Sequence, residues 1–389
     1  MSFKQLSFKK KCLVVFCLMA LAWWLWNRWI PPMNTEEKKL IDSWTQTMRP
    51  RCFGRYLIDL PSDWRSHWKM STARHSEILI EVRPIDRELF NAHLKRLEDR
   101  YKKQRSSFVD TTPGLQQVVE LPNQEGKLFN RLSIGPAINL GEPDHFDESE
   151  PIEVVGGSNA GRTLEIAAYK NGYFINMRSK ASDFTFPEFS SRPNTNQLGS
   201  DVAEKQAELL ALYQHVHGRR DDEIPSVSGM CFDGGFIEGA PTRNEEIEMV
   251  YVAPTPDVRI TLSSYANVRE STTLLDRSLK IHASLLLSGI KTVGNGKRQG
   301  QGIDFEEWLM EGPTQEKITG HMFTAEAFSK EGSATTPMII LNFYNGERPS
   351  NDDVDNPRAK LKQATLSLSQ SVALWNRITK TLRKRPNAF

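Results

Sequence analysis

The sequence has little excess charge of either sign. Its 389 residues carry 50 lysines and arginines against 48 acidic residues, a net charge of +2. A charge this small creates no field strong enough to gather nucleic acid, so no nucleic-acid partner is predicted. The hydrophobic content of 39% and charged content of 25% are those of a globular protein. At this length we expect two domains instead of one core.

The common catalytic and cofactor-binding motifs are also absent. The chain contains no Gly-x-Ser-x-Gly elbow, P-loop, His-Glu-x-x-His or Cys-x-x-Cys. The glycine-rich stretch 294–302 precedes a predicted strand and opens no helix, so it is interpreted as a flexible turn. His215 and His217 lie two apart on a predicted helix, and Glu306 and Glu307 alternate across a predicted strand, so neither pair shares a site. We therefore predict no enzyme activity, no metal and no cofactor.

Cysteine is scarce, with four in the chain. Cys12 and Cys17 lie in an apolar N-terminal run, which leaves Cys52 and Cys231 as the pair in the body of the chain. In an oxidising compartment such a pair is a candidate disulfide. The alternative is two buried, unpaired thiols at equivalent core positions, and both interpretations stay open at this point.

One long hydrophobic run lies at the N-terminus. Lysines precede an apolar stretch from Cys12 to Ile30, which as a helix is about 28 Å long, close to the thickness of a bilayer core. Basic residues keep their end of such a helix in the cytoplasm. We predict that residues 1–32 anchor the chain in the inner membrane, with the rest in the periplasm. A signal peptide with its cleavage site at Ala20-Leu21-Ala22 is the alternative.

The most informative feature that is present is a repeated motif. Residues 52–61 read Cys-Phe-Gly-Arg-Tyr-Leu-Ile-Asp-Leu-Pro, and residues 231–241 read Cys-Phe-Asp-Gly-Gly-Phe-Ile-Glu-Gly-Ala-Pro. The segments after the two copies correspond in order and type, which predicts an internal duplication. Glycines in the motif allow backbone conformations that other residues resist. The positions to which we assign a structural role are Gly54, Pro61, Gly234, Gly235 and Trp308.

The sequence pattern of each half of the chain predicts strands, a helix, three strands and a closing helix. Antiparallel hairpins with helices on one face give an α+β fold of two tandem, internally duplicated domains. The predicted domains cover 44–217 and 229–389, with a charged, proline-containing linker at 218–228.

Apolar spacing predicts four of the helices. Their ranges are 86–104, 201–217, 273–288 and 359–382. In the third of these, Leu275, Leu279 and Leu286 are predicted to align on one face. Asn171-Gly172 predicts a tight hairpin turn between two strands.

Five segments carry a resemblance to a known family. They are Cys52–Trp64, Cys231–Gly239, Pro256–Leu262, Leu274–Arg277 and Gly302–Trp308. Together they resemble the immunity proteins of type VI secretion lipase effectors over most of residues 45–389. Members of that family often start with a lipoprotein signal, whereas this chain starts with the apolar run described above. The resemblance implies a periplasmic protein whose two lobes bind a phospholipase effector and hold its active-site cover shut.

The stretch 182–200, rich in proline, serine and asparagine, is a candidate binding loop. It contains Phe184, Phe186 and Phe189, which we predict to contact the partner because exposed aromatic side chains often carry binding energy. Two other functions remain open on the sequence alone. One is a periplasmic hydrolase with an unrecognised site, and the other is an envelope assembly factor.

Overall fold

The computed structural model describes residues 30–104, 112–133, 160–185, 199–348 and 361–389. These residues form two compact units. Unit 1 comprises 30–51, 56–70 and 248–385, and unit 2 comprises 52–55, 71–247 and 386–389, apart from the stretches not described. The predicted linker 218–228 lies within unit 2. The sequence-based domains 44–217 and 229–389 stay a prediction.

The predicted membrane anchor, residues 1–32, lies almost entirely outside the described residues. Within the part of the chain that the structure describes, no helix has the length and apolar character needed to cross a bilayer.

Unit 1 is built on a mainly antiparallel sheet. In spatial order its strands are β15 (Lys291–Gln299), β16 (Asp304–Pro313), β17 (Thr319–Ala327), β18 (Met338–Asn345), β14 (Val258–Tyr265) and β13 (Glu245–Val252). The pairs from β15 to β18, and the pair of β18 with β14, are antiparallel. The short β3 (Arg65–Ser66) also pairs with β13. A smaller sheet contains β1 (Met48–Phe53), β2 (Tyr56–Pro61) and β19 (Arg383–Lys384).

The helices of unit 1 are α1 (Thr35–Thr45), α4 (Ser278–Leu287) and α5 (Leu368–Thr379), with 3₁₀ turns at Trp68–Met70 and Leu275–Arg277. Strand β16 shows where α4 and α5 lie. Trp308 and Met310 pack under α4, whereas the Trp375 indole of α5 donates to Glu307. Because neighbouring residues of a strand point to opposite faces, α4 and α5 cover opposite faces of this sheet. The prediction of helices on one face is therefore wrong for unit 1.

Unit 2 has its own antiparallel sheet. Its strands, in spatial order, are β4 (Thr72–His75), β5 (Ile78–Pro84), β9 (Tyr173–Ser182), β8 (Gly161–Lys170), β7 (Gly126–Leu132) and β6 (Leu115–Glu120). Successive pairs in this order are antiparallel. A three-stranded sheet contains β10 (Val216–Gly218), β12 (Gly235–Glu238) and β11 (Gly229–Phe232). The helices are α2 (Arg87–Lys103) and α3 (Val202–His215), with a 3₁₀ turn at Pro122–Gln124.

Several elements of unit 2 are explained by local sequence. Asp86 caps α2 by accepting from the Leu89 N–H at 2.8 Å. Phe90, Leu97 and Tyr101 of α2 are buried against the sheet, as the apolar spacing predicts. Asn171 and Gly172 both have positive φ, 51° and 86°, which is the requirement of a type I′ hairpin turn. The prediction of an α+β fold built on antiparallel sheet is confirmed.

Two predictions about local structure in unit 1 are wrong. The glycine-rich stretch 294–302 is not a flexible turn, because Gly294 and Gly296 lie within edge strand β15 and pair with β16. The closing helix begins at Leu368 and not at residue 359. The buried carboxylate of Asp257 accepts from the N–H and the hydroxyl of Thr365, which holds the preceding chain out of the helix.

Candidate functional site

The two copies of the repeated motif meet in unit 2. Cys52 and Cys231 form a disulfide, with their Cα atoms 5.7 Å apart. Beside it the Gly54 N–H donates to the Cys231 carbonyl, and the Cys231 N–H donates to the Gly54 carbonyl, both at 2.8 Å. The cysteine that opens one copy of the motif is therefore covalently joined to the cysteine that opens the other copy.

The motif glycines serve backbone geometry. Gly54 and Gly234 have φ of 53° and 71°, a region that residues with a Cβ rarely adopt. A Cβ on Gly234 would lie 2.2 Å from the Val82 carbonyl oxygen, and one on Gly235 would lie 2.2 Å from the Phe232 ring. Pro61, the last residue of β2, is buried. Each of these positions has a local structural reason that involves no partner.

Arg55 is a buried cation that the sequence reasoning missed. Its Nε and Nη2 donate to the two carboxylate oxygens of Glu245 at 2.9 and 2.7 Å. The same guanidinium donates to the carbonyls of Gly239 and Ala388, and it is 2% exposed. Such a fully paired arginine stabilises the fold around residues 52–55, because removal of one partner leaves a buried charge uncompensated. The sequence signal was a cation in a mainly apolar motif, whose other charged residue is Asp59.

Trp308 lies in the core beneath α4. It is 1% exposed, and its indole N–H donates to the Thr292 hydroxyl at 3.0 Å. Its ring centroid is 4.9 Å from that of His282 on α4. Trp308 thus supports α4 and is not itself available to a partner.

The acidic residues of β16 are used structurally. Glu306 accepts from the Leu275 N–H at 2.8 Å, at the start of the 3₁₀ turn before α4. Glu307 lies on the other face, where it accepts from Trp375 and from the Arg298 guanidinium at 2.9 and 2.8 Å. The predicted alternation is therefore observed, and the two carboxylates act on different faces.

One polar cluster has the composition of a catalytic triad. The Ser371 hydroxyl lies 3.0 Å from Nδ1 of His321, and Nε2 of His321 lies 3.6 Å from a Glu311 carboxylate oxygen. Nδ1 also accepts from the Asn345 amide at 2.7 Å, so a neutral ring carries its proton on Nε2, towards Glu311. Ser371 is 0% exposed, so its hydroxyl has no access to a substrate in this structure. The cluster holds α5 against the sheet.

Glu311 is the strongly perturbed acid of this cluster. Hydrogen bonding to His321, with a further contribution from Lys291, lowers the pKa of Glu311 to about 2. The residue is therefore ionised over the whole physiological range, and it is paired.

The two histidines near the end of α3 do not form a metal site. His215 ends the helix, and His217 lies in β10, where its Nε2 is 3.5 Å from Glu238. Burial lowers the pKa of His217. No group of three or more potential metal ligands occurs among the described residues.

The predicted partner-contact residues are only partly described. Phe184 is half-buried, and its N–H donates to the Gly199 carbonyl at 2.9 Å. Phe186 and Phe189 lie outside the described residues. Their role in binding stays a prediction.

The surface of α4 departs from the sequence-based expectation. Leu279, Leu286 and Leu287 are 84%, 83% and 90% exposed, so the face on which the spacing aligns Leu279 and Leu286 is turned to solvent. The inward positions are Ile281 and Leu285, which pack over Trp308 and Met310. A 3₁₀ turn at Leu275–Arg277 precedes the helix, which takes Leu275 out of α-helical spacing with the later leucines.

A cavity of about 560 Å³ lies near the turn that precedes α4. It is lined by Thr273, by residues of β15 and β16, by the end of β17 and by the residues 328–331 that follow β17. Its lining holds the cations Lys297, Arg298 and Lys330 together with four acidic residues. The cavity is therefore lined by charged groups in nearly balanced number.

Two family models match this chain in sequence. The N-terminal domain of Tle cognate immunity protein 4 matches residues 49–137, and the C-terminal domain of the same family matches residues 223–387. No curated protein sequence matches the chain.

Solved structures share its fold. The apo structure of immunity protein TplEi of the type VI secretion system from Pseudomonas aeruginosa is 21% identical, with a TM-score of 0.61, and the match covers 88% of this chain and 98% of that one. A chain of the Tle4–Tli4 complex gives the same identity, TM-score and share of this chain, with 99% of that chain covered. TplEi complexed with a peptide is 20% identical, with a TM-score of 0.56 over 87% of this chain and 98% of that one. Because the two family models together match more than half of its 389 residues, the chain belongs to the Tle cognate immunity protein 4 family.

Proposed function

We propose that this chain resides in the periplasm and protects the cell that makes it by binding a type VI secretion phospholipase effector and obstructing it sterically. Its place in an immunity-protein family carries the proposal, since both halves of that family's sequence pattern occur here in the expected order. The fold likeness to the Tle4–Tli4 complex adds that a protein of this architecture binds an effector. The chain's own contribution is a protein surface that binds its partner, with no bond made or broken.

The periplasmic location is part of the proposal, and the disulfide supports it. Disulfides such as Cys52–Cys231 persist in oxidising compartments and are rare in the cytosol. Residues 12–30, of which the structure describes only the last, would anchor the chain in the inner membrane with the N-terminus in the cytoplasm. A phospholipase delivered to the periplasm would then meet its inhibitor at the membrane it attacks.

Internal duplication is a further part of the proposal. In each copy of the motif, two residues join two neighbouring strands. Gly54-Arg55 lies between β1 and β2, and Asp233-Gly234 lies between β11 and β12. Similar connections at corresponding motif positions are the outcome expected of two copies of one ancestral unit.

Co-expression tests the function. A lipase gene next to the gene for this chain would support the proposal, and its product, directed to the periplasm, should kill cells when expressed alone. Co-expression with the full chain should restore growth, because the inhibitor meets the enzyme in the same compartment. A version of the inhibitor retained in the cytoplasm is the matched control and should not protect. Death in the presence of the exported full chain at equal expression would contradict the proposal.

The phenylalanines of the candidate binding loop can be tested separately. Replacement of Phe184, Phe186 and Phe189 by serine should weaken binding of that lipase while the melting temperature stays unchanged, if these rings contact the partner. The exposed Trp68, replaced by serine, provides a control at an aromatic residue outside this loop. Equal affinity of the triple variant and the wild type would remove the loop from the interface.

A further inference from the structure

Helix α4 presents an apolar surface to solvent that the fold does not use. Leu279, Ala283, Leu286 and Leu287 recur at the spacing of one helix face, and all four are exposed. No described residue covers this face, since its three leucines remain 83–90% exposed. We call these four residues the leucine ridge.

The core packing of α4 does not require the leucine ridge. Ile281 and Leu285 project to the opposite side of the helix, where they pack against Leu274, Trp308 and Met310. The helix is therefore apolar on both sides, a pattern that normally indicates a helix buried all round. Here one side is buried and the other is open, so the open side has an apolar character that stability does not explain.

The balanced-charge cavity of unit 1 lies close to the turn that precedes α4. Asp276, in the turn before α4, pairs with Lys330 of the cavity lining at 2.9 Å. Lys297, on edge strand β15, is 81% exposed. An apolar centre next to charged groups of both signs has the composition of a protein–protein interface, with an apolar core and a polar rim.

We propose that the leucine ridge, with the cavity near the turn before α4 as its polar flank, is a surface on which the lipase effector docks. This inference deepens the proposed function, on which it rests. An enzyme that acts on lipid at a membrane presents an apolar surface around its active-site entrance, because its substrate is apolar. The leucine ridge has the complementary chemistry, and its burial against such a surface would remove both from water.

Size argues against a second copy of this chain as the occupant. The three leucines together expose on the order of 450 Å², whereas a stable interface buries about 800 Å² on each partner. Two ridges packed on each other would fall short of a stable dimer. Within a larger contact with an effector, the three leucines could be among the few residues that contribute most of the binding energy.

Charge argues against a lipid surface as the occupant. The cavity lining has three cationic side chains, Lys297, Arg298 and Lys330, against four carboxylates. Surfaces that bind anionic lipids carry clustered Lys and Arg in excess. A flank without that excess fits the mixed charge of a protein.

The test replaces Leu279, Leu286 and Leu287 together by serine in the full chain. The Kd for the lipase effector that the wild-type chain neutralises in the co-expression test is measured by surface plasmon resonance for the wild type and the variant. We expect the triple variant to bind at least about 100-fold more weakly, as for loss of residues that dominate an interface. Leu89, 59% exposed on α2, is replaced by serine as the matched control and should change Kd less than about twofold.

The outcomes separate this inference from the proposed function. If the wild type does not bind the lipase, the proposed function fails for that pair and the inference fails with it. If the wild type binds and the triple variant binds equally well, the inference alone is wrong. Light scattering that shows a dimer for the wild type and a monomer for the variant would assign the ridge to self-association. Loss of sedimentation with phosphatidylglycerol vesicles in the variant, at unchanged lipase affinity, would assign it to lipid.

Discussion

Helices α4 and α5 cover opposite faces of one sheet, yet they are held there in different ways. Helix α5 has a capping box at Ser367 and Gln370 and eight buried residues. Helix α4 has no side-chain cap and no buried residue. Although α4 contains four leucines and an isoleucine in ten residues, it is the less buried of the two. Apolar content therefore does not decide which helix belongs to the core.

The difference lies in what the sheet offers each helix. Towards α5, β16 and β17 present Glu307 and His321, which bond to Trp375 and Ser371 of the helix. Towards α4 the sheet offers mainly Trp308 and Met310, an apolar contact without a fixed partner. Directional hydrogen bonds in a buried site fix α5 in one position. Only one apolar side of α4 packs against the sheet, and its other apolar side is exposed to solvent.

The largest expected difference between the two helices concerns Trp375. Its replacement by alanine should lower the free energy of unfolding by about 3–5 kcal/mol, because it opens a cavity beside Phe323 and Phe343 and removes the bond to Glu307. Denaturant unfolding measures the effect. Trp68, which is 40% exposed, is the matched control and should lose less than about 1 kcal/mol when replaced by alanine. Equal losses at the two positions would mean that α5 is not a core element.

A smaller effect is expected at the first residue of the α5 cap. Ser367→Ala removes the acceptor for the Gln370 N–H and should cost about 1 kcal/mol. Ser278→Ala at the start of α4 should cost only a few tenths of a kcal/mol, since no side-chain cap is lost there. Thermal unfolding of both variants checks this difference, and the same cost at both positions would refute it.

The α5 side of the sheet should also respond to acid. The pKa of Glu311 is lowered to about 2 in the folded chain and is near 4.3 in an unfolded one. Its contribution is therefore complete above about pH 4.5 and is lost as the pH falls towards 2. Because the group is partly exposed and screened by solvent, the contribution should stay below about 1 kcal/mol.

Unfolding of the wild type and of Glu311→Gln, followed from pH 6 to pH 3, measures this contribution. The difference in stability between the two proteins should shrink as the pH falls, with Lys291 and His321 kept unchanged. A difference that is constant over this range would show that Glu311 is not responsible.

The smallest effect on stability is expected at the leucine ridge. Replacement of Leu279, Leu286 and Leu287 by serine should change the free energy of unfolding by less than about 0.5 kcal/mol for each substitution, because these side chains make no core contacts. Leu285→Ala, on the inward side of the same helix, should cost about 1–2 kcal/mol. A large loss of stability in the ridge variant would mean that the ridge packs against part of the chain.

Much of the fold could be predicted where one local signal dominates. The Asn171-Gly172 turn requires positive φ at both residues, and few sequences other than Asn-Gly allow this at low cost. Helix α2 has one clear apolar face, so its buried residues Phe90, Leu97 and Tyr101 can be identified from spacing alone. Such elements are determined by residues close together in the sequence, so one sequence is enough to identify them.

The features that could not be predicted depend on contacts between residues far apart in sequence. Helix α4 is apolar on two sides, so spacing could not say which side is buried. Edge strand β15 is rich in glycine and charged residues, and only its pairing with β16 makes it a strand. Arg55 lies 190 residues from its partner Glu245. The family resemblance and the candidate cysteine pair could be identified from the sequence, but the leucine ridge could not.

The placement of Arg55 has a consequence for the order in which the chain can fold. Unit 2 combines residues 52–55 with residues 386–389, where the Ala388 carbonyl accepts from the Arg55 guanidinium. The surroundings of this arginine are therefore incomplete until the ribosome has reached residue 388, so unit 2 is finished late in synthesis. Deletion of residues 386–389 should leave the buried guanidinium without one of its acceptors and destabilise the residues around the disulfide.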